Sequence, residues 1–259
     1  MKTAQILDAV NARFYERFAG DFHQTRRHGW TGWTHLLHDV PRDDLRVLDI
    51  GCGNGRFAEF LTEMVHDSDN RDVKLYVGLD QSDGLLSHAK PRPLPFEVQW
   101  AHWAWADVLD GDELDDGLGA YDGFDWIVLF GVMHHIYGFE RRCRLIEWAI
   151  RKLRPNGLLS LSLWDFGADP RWTKKYVPWT DFTSAWALDP STIEAGDYLL
   201  GWSGHRDTPR YCHWMSRDEE RAFVERINTR CSDVAHRGQR IDTGPDLNRY
   251  WSWRARSAV

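Results

Sequence analysis

The run Val47-Leu48-Asp49-Ile50-Gly51-Cys52-Gly53-Asn54-Gly55 constrains this chain more than any other stretch. Arg46–Ile50 is short and apolar enough to be a strand, and it runs straight into alternating glycines. Glycine lets backbone come close to a ligand because no Cβ intervenes. In open α/β sheets, ligands sit outside the carboxyl ends of the strands, where strand order reverses. The spacing is GxGxG, and Arg56 stands where a dinucleotide fingerprint carries its third glycine. Asp49 precedes the turn, and a carboxylate there suits a cationic ligand better than a pyrophosphate.

The sequence around this turn alternates strand and helix. Arg56–Val65 has helical spacing, with Phe57, Phe60, Leu61 and Val65 as its apolar face. Lys74–Leu79 is a second strand, and a helix begins near Ser82, a good N-cap residue. Glu97–Ala106 alternates as a third strand. Phe124–Phe130 is nearly all apolar, as expected of a strand buried on both faces. Phe139–Leu153 places Phe139, Cys143, Ile146, Ile150 and Leu153 on one helical face and ends at Arg154-Pro155-Asn156-Gly157, a stop-and-turn signal. Leu158–Trp164 is a fifth strand. Such alternation predicts a parallel sheet with helices on both faces. Residues 3–22 read as an amphipathic helix carrying Leu7, Val10, Phe14 and Phe18, followed by the linker TRRHGWTGW at 25–33. Residues 165–208 have no clean period and read as an insertion over the sheet. A helix fits 217–228, and strands fit 232–241 and 247–254. The expectation is one domain, 1–259, divided into an N-terminal helix and lid (1–44), a core (45–164), the insertion (165–208) and a C-terminal helix with strands (209–259).

Composition narrows the class. With 42% hydrophobic and 27% charged residues the chain is ordinary globular material. Trp126 to Met133, the longest apolar run, falls far short of the roughly 20 residues a bilayer span needs. Asp8 interrupts the start where a signal peptide needs an apolar stretch, so a cytoplasmic location is expected. Cys52, Cys143, Cys212 and Cys231 are scattered without CxxC spacing, so neither a metal site nor a disulfide framework is expected. A net charge of −7 opposes sequence-blind attraction to nucleic acid and leaves room for a local basic surface.

Two further carboxylates close successive strands: Asp80 the second and Asp107 the third. Either alone fits a loop or helix cap; together with Asp49 around a glycine turn they read as a binding set. Across about residues 45–164 the chain resembles the class I methyltransferases that use S-adenosylmethionine. FDWIVLFGVMHHI is similar to their fourth-strand motif and LRPNGLL to the turn before their fifth strand. The resemblance implies a doubly wound, seven-stranded, mostly parallel sheet (the Rossmann-like methyltransferase fold) with an N-terminal helical cap and an insertion after the fifth strand. It implies S-adenosylmethionine as cofactor: Asp49 on the ammonium, Asp80 on the ribose hydroxyls, Asp107 on the adenine amino group with Val108 against the ring, and Gly51, Cys52, Gly53, Gly55, Gln81 and Phe130 around them. FYERFAGDFHQTRRHGW at 14–30 is similar to the N-terminal signature of the family that methylates carboxymethyl uridine at the tRNA wobble position. There a Tyr and an Arg close over the cofactor, which implies Tyr15 and Arg26 here, with Thr25 beside them. VPW at 177–179, RYCHW at 210–214 and DLNRYW at 246–251 also resemble that family's substrate side. After 165 the insert departs in length and sequence, so the acceptor stays open between a tRNA wobble uridine and a small acid or other metabolite. A catalytically silent cofactor-binding subunit is a third reading.

A carboxylate acceptor is ionised at neutral pH, its reference value being about 4, and needs no general base. It needs a cation. Arg26, Arg210 and the Arg171/Lys174/Lys175 cluster are the candidates, and Arg210 is favoured because it abuts Tyr211–Trp214. His134 and His135 end the fourth strand, where the methyl group should emerge. Either His135 bonds the acceptor while His134 braces the loop, or both shape the pocket floor; a base role matters only for a hydroxyl or amine. Trp164, Trp172, Trp179, Trp186, Trp202 and Trp214 could stack RNA bases or form a lid core. Arg237, Arg240, Arg249, Arg254 and Arg256 make the tail basic, as a confined RNA contact or an ordinary surface. Trp100, Trp103 and Trp105 on the third strand should lie at a sheet edge, which is an aggregation hazard unless covered. Relatives in the tRNA family pair with a small zinc-binding activator subunit, so such a partner, or local loops, should cover this edge.

Overall fold

A computed structural model describes residues 2–26, 28–40, 44–65, 72–91, 93–104, 109, 118, 121–231, 234, 238–241 and 247–257. A seven-stranded sheet forms its centre, built from β1 (Leu45–Ile50), β2 (Val73–Asp80), β3 (Glu97–His102), β4 (Phe124–Leu129), β5 (Leu153–Trp164), β9 (Gln239–Ile241) and β10 (Asn248–Arg254). Their order is β3-β2-β1-β4-β5-β10-β9. The first five pair in parallel, and β10 runs antiparallel to both β5 and β9. Strand order reverses between β1 and β4, which opens the crevice expected at their carboxyl ends.

Residue alternation explains how β1 serves two cores. Leu48 and Ile50 face one layer with Leu129, Ile146 and Phe223. Val47 faces the other with Phe57, Tyr76, Trp126 and Val128. Asp49 shares the face of Val47, which is why it meets the hydroxyl of Tyr76. On that face α3 (Arg56–Val65) lays Phe57 and Phe60 against Trp33 of α2 (Thr31–Leu36). After β2, Ser82 caps α4 (Asp83–Ala89), its hydroxyl accepting from Leu85 N at 3.2 Å. On the opposite face α5 (Phe139–Arg151) buries Cys143, Ile146 and Ile150, and α6 (Arg217–Arg230) adds Phe223 and Ile227.

The N-terminal helix α1 (Thr3–Thr25) packs on α4 and on the insertion, with non-helical dihedrals at Phe18. The insertion is ordered. After 3-10 turns it forms an antiparallel sheet, β6 (Tyr176–Val177), β7 (Asp197–Trp202) and β8 (His205–His213). A boundary at 208 therefore needs correction, because Leu199 pairs Tyr211 and Leu200 pairs Arg210, so 165–208 and RYCHW share one sheet.

β3 does lie at the sheet edge, and two of the three tryptophans expected there make contacts within the fold. Trp100 leans on Tyr76 at 5.4 Å and covers Gly78, where a Cβ would sit 2.5 Å from its ring. Trp103 is buried and stacks on Trp148 at 5.3 Å. Trp105 is outside the described residues, as are Asp107 and Val108. The strand expected over 232–241 is Gln239–Ile241, preceded by a bridge from Val234 to Ala255. Among the described residues no helix is long and apolar enough to cross a membrane.

Candidate active site

A cleft of about 680 Å³ opens at the carboxyl ends of β1 and β4, roofed by α1 and the insertion. Its floor is the glycine turn. Gly51, Gly53 and Gly55 have φ of 75°, 55° and 75°, the left-handed region that favours glycine. The Gly51 and Cys52 amides donate to Leu79 O, tying the turn to β2. The Gly53 amide donates to Asp80 Oδ2 and the Ser82 amide to Asp80 Oδ1, both at 2.8 Å. Each carboxylate oxygen keeps acceptor capacity for a ligand hydroxyl. A Cβ on Gly53 would meet only Leu85 Cδ1, at 3.9 Å, so this residue leaves the cleft open. Gly55, expected among the ligand contacts, is off the cleft; a Cβ there would sit 2.9 Å from Ala89 Cβ and from Trp100, so packing requires this glycine.

Asp49 and Asp80 face the cleft from adjacent strand ends, both buried. Burial pushes the Asp49 carboxyl up to about 7, against the hydrogen bond from Tyr76. Burial also raises Asp80 to about 6, against the Ser82 and Gly53 amides. A cation bound beside them would favour the ionised form of both carboxyls. Cys52 lines the cleft as a thiol pushed well above its ordinary value by burial. Gln81 lines it too, and its buried Nε2 has no hydrogen-bond partner among the described residues. Phe130 joins the wall, edge-on to Phe57 at 5.0 Å.

Tyr15, Thr25 and Arg26 enter from α1. Asn54, which sequence reasoning passed over, pins this roof to the turn: its Nδ2 donates to His23 Nδ1 at 3.0 Å and to Arg26 O at 3.1 Å. The Arg26 guanidinium lies over Phe22 and Trp202, each at 5.5 Å.

His134, His135 and Arg210 meet on the far side. The Tyr211 carbonyl can only accept, so His135 Nδ1 carries the proton at 3.0 Å from it. His135 Nε2 then accepts from the Tyr15 hydroxyl at 2.8 Å. Both ring nitrogens are engaged, so the direct bond to an acceptor expected of His135 is closed in this arrangement. Burial, helped by Arg210, drives His135 down to about 3, and burial also lowers His134 well below its ordinary value. His134 packs its ring on Trp164 at 5.0 Å, and its Nδ1 has no partner among the described residues. Cys212 lies near these two histidines, their potential ligand atoms within 4.8 Å of one another, and Glu194, Asp197 and His213 form a similar group. In the second group His213 already bridges Asp197 and Glu219.

Arg210 is the unusual charge here. It is 3% exposed, with its guanidinium 5.4 Å from the Phe14 ring, 5.2 Å from Trp164 and 5.4 Å from Trp202. Among the described residues it has no carboxylate partner, and its Nε has no hydrogen bond. Burying an uncompensated charge is expensive, and an anion in the cleft would offset that cost.

The late aromatic set divides. Trp164 and Trp172 line the cleft, and Lys175 Nζ sits 4.1 Å above Trp172. Trp202 lies between Arg26 and Arg210. Trp179 and Trp186 pack against an apolar cluster that joins Leu7 and Val10 of α1 to Val177 and Leu199 of the insertion, and Trp214 donates to Asp165. The basic tail is largely occupied. Arg249 is buried against Glu220 and Met215 O, Arg254 donates to Asn156 O and Asp39 O, and Arg256 donates to Val234 O. Arg240 is exposed, and Arg237 is outside the described residues. Arg171 is held by Asp169.

A family model described as a methyltransferase domain matches residues 22–230. Over 204 residues the chain is 29% identical to an Encephalitozoon cuniculi protein named as a methyltransferase, covering 78% of each. Over 152 residues it is 28% identical to the tRNA (carboxymethyluridine(34)-5-O)-methyltransferase of Saccharomyces cerevisiae, covering 59% of this chain and 47% of that enzyme. A SAM-dependent methyltransferase from Methanosarcina mazei shares the fold, with a TM-score of 0.56, 16% identity, and coverage of 86% of this chain and 98% of that one.

Proposed function

The chain belongs to the methyltransferase domain family, and on that premise we propose that it methylates a carboxylate, with the carboxymethyl group of a tRNA wobble uridine as the leading acceptor. It is an S-adenosylmethionine-dependent methyltransferase. The cleft suits that cofactor: Asp49 would take the ammonium, Asp80 the ribose hydroxyls, and Gln81 offers an unused donor. Tyr15 and Arg26 would close over it from α1. Asp107 and Val108, assigned to the adenine, fall outside the described residues and keep that role by resemblance. When bound, the cofactor supplies a methyl group on a positively charged sulfur.

One observation carries the acceptor class. Arg210 is a buried guanidinium facing the cleft with no carboxylate partner among the described residues, beside two histidines held neutral. Guanidinium binds carboxylate with two parallel hydrogen bonds. A carboxylate so held is already ionised and needs no base, and His135 instead positions the Tyr15 hydroxyl. Alignment of this kind can account for roughly 7–11 kcal/mol of a barrier. The likeness to the yeast tRNA enzyme and the Trp164/Trp172 wall support a nucleoside acceptor. The second reading is a small carboxylic acid, favoured by the tail arginines Arg249, Arg254 and Arg256 being engaged within the fold.

A small activator subunit against β3 belongs to the tRNA reading, although Trp100 and Trp103 are already covered from within the fold. The four cysteines, buried and free, suit a cytoplasmic location. The test is to incubate the purified chain with methyl-labelled S-adenosylmethionine and tRNA from cells lacking the gene. Label in a base-labile ester on the wobble nucleoside is the expected result. Label only in added small acids selects the second reading, and activity without any added subunit removes the need for an activator.

A further inference from the structure

Behind the cleft, a set of buried charges lies against the reverse face of β8. Alternation along this strand sends Arg210 and Cys212 to one side and Tyr211 and His213 to the other. Cys212 accordingly packs with Phe166 and Leu200, while Tyr211 packs with Leu7 and Leu199. His213 is 3% exposed. Its Nδ1 is 2.7 Å from Asp197 Oδ1 of β7, and its Nε2 is 2.9 Å from Glu219 Oε2 of α6. Gly196 makes room for the ring, since a Cβ there would sit 3.2 Å from His213 Cε1.

These partners dictate the charge on the ring. An ionised carboxylate can only accept, so a histidine held between two of them donates from both nitrogens and is an imidazolium. No lone pair then remains for a metal ion. Burial pulls the His213 value down, but the bonds to Asp197 and Glu219 outweigh it and hold the value above the ordinary one. Burial likewise pushes Glu219 up, and the contacts from His213 and Arg142 hold it below its ordinary value, in the charged form. Arg142 of α5 donates to Glu219 at 2.7 Å and to Glu194 at 3.2 Å. The Tyr211 hydroxyl donates to Asp197 Oδ1 at 2.7 Å, and the Glu194 amide to Asp197 Oδ2 at 2.9 Å. Side chains of α5, α6, β7 and β8 thus meet in one network behind the strand whose front presents Arg210.

We propose that His213 is a positioning residue for methyl transfer: as an imidazolium bridging Asp197 and Glu219 it clamps the back of β8, fixing Arg210 in the cleft wall and the Tyr211 carbonyl against His135. The link through Tyr211 is direct. Its carbonyl accepts from His135 Nδ1 at 3.0 Å, and its amide donates to Asn11 Oδ1 at 2.8 Å. The role in transfer rests on the reading of Arg210 as the acceptor's cation; the charge on His213 does not.

Long-range nitrogen–proton NMR of histidine-labelled protein, with the His213 signal assigned by its loss in His213→Gln, reads the charge. Both ring nitrogens should carry a proton at pH 7.5, where an ordinary histidine, titrating at about 6.5, is about nine-tenths neutral. A neutral ring at that pH would overturn the inference. Turnover is then read with methyl-labelled S-adenosylmethionine and whichever acceptor, tRNA or small acid, wild type labels. His213→Gln should raise the acceptor KM and lower kcat/KM at least about 10-fold, with the Kd for S-adenosylmethionine unchanged. A merely structural role would instead reduce the folded fraction, lowering kcat at an unchanged acceptor KM, and that result would exclude positioning. Should His213→Gln not fold, Glu219→Gln keeps an acceptor for His213 and Arg142 while removing the charge. It must lower the pH at which His213 titrates and raise the acceptor KM. Wild-type protein that binds the cofactor but labels neither acceptor would overturn the reading of Arg210, and the positioning role with it, whatever the charge on His213.

Discussion

Cofactor affinity should depend on pH through Asp49, in a direction opposite to the stability of the ligand-free protein. The Asp49 carboxyl stands at about 7 because burial disfavours its charge. A cationic ammonium needs the ionised form. With that value, about one molecule in ten is ionised at pH 6 and about nine in ten at pH 8, so apparent affinity should fall roughly 10-fold between pH 8 and pH 6. Asp80, at about 6, adds roughly a further factor of two at pH 6 if the ribose hydroxyls require its charge. Stability runs the other way. A carboxyl whose value is raised on folding contributes most at low pH, and that contribution is lost as pH climbs from the ordinary value of about 4 to about 7. The assay is calorimetry between pH 6 and 8, paired with thermal melts of the free protein. Asp49→Asn keeps an oxygen to accept from Tyr76 and removes the titration. It should bind weakly with only the residual twofold slope, and should not lose stability over this range as wild type does. A wild-type affinity that is flat from pH 6 to 8, or an equal slope in Asp49→Asn, would refute the reasoning.

Four substitutions probe the surrounding architecture. Tyr15→Phe leaves His135 Nε2 buried without its donor, and should cost about 1–2 kcal/mol in a denaturant melt; an unchanged midpoint would remove the proposed coupling between α1 and the histidine turn. Gly55→Ala forces a Cβ against Ala89 and Trp100 at a φ of 75° and should destabilise by about 1–3 kcal/mol, whereas Gly53→Ala meets no such clash, carries only the left-handed strain at a φ of 55°, about 1 kcal/mol, and should also weaken cofactor binding in titrations. Arg210→Met removes a buried cation that has no carboxylate partner among the described residues and should leave the melting temperature equal or higher. Its turnover should fall at least about 100-fold, with cofactor affinity retained; wild-type turnover would exclude Arg210 from the acceptor site.

Local pattern made much of this protein readable in advance. β1, β4 and α3 follow from apolar periodicity, the start of α4 from the Ser82 cap, and the positions of Asp49, Asp80 and the glycine turn from their places at strand ends. These features depend on residues within a few positions of one another, where hydrogen bonding and side-chain spacing leave little choice. The pairings that define the site are of another kind. Tyr15 and Tyr211 reach His135 from opposite ends of the chain and together occupy both its nitrogens, closing a role that the histidine's position alone had left open. Arg249 and Arg254 form part of a basic tail in one dimension and are internal braces in three. Gly55 matches a ligand motif by spacing yet is required by the ring of Trp100. Sequence by itself determined the sheet, the turn and the acids beside it, because each is encoded in a short segment. Only the tertiary structure decided which charges are neutralised by carboxylates and which, like Arg210, are buried among aromatic rings, because that outcome depends on side chains brought together from distant segments and shielded from water.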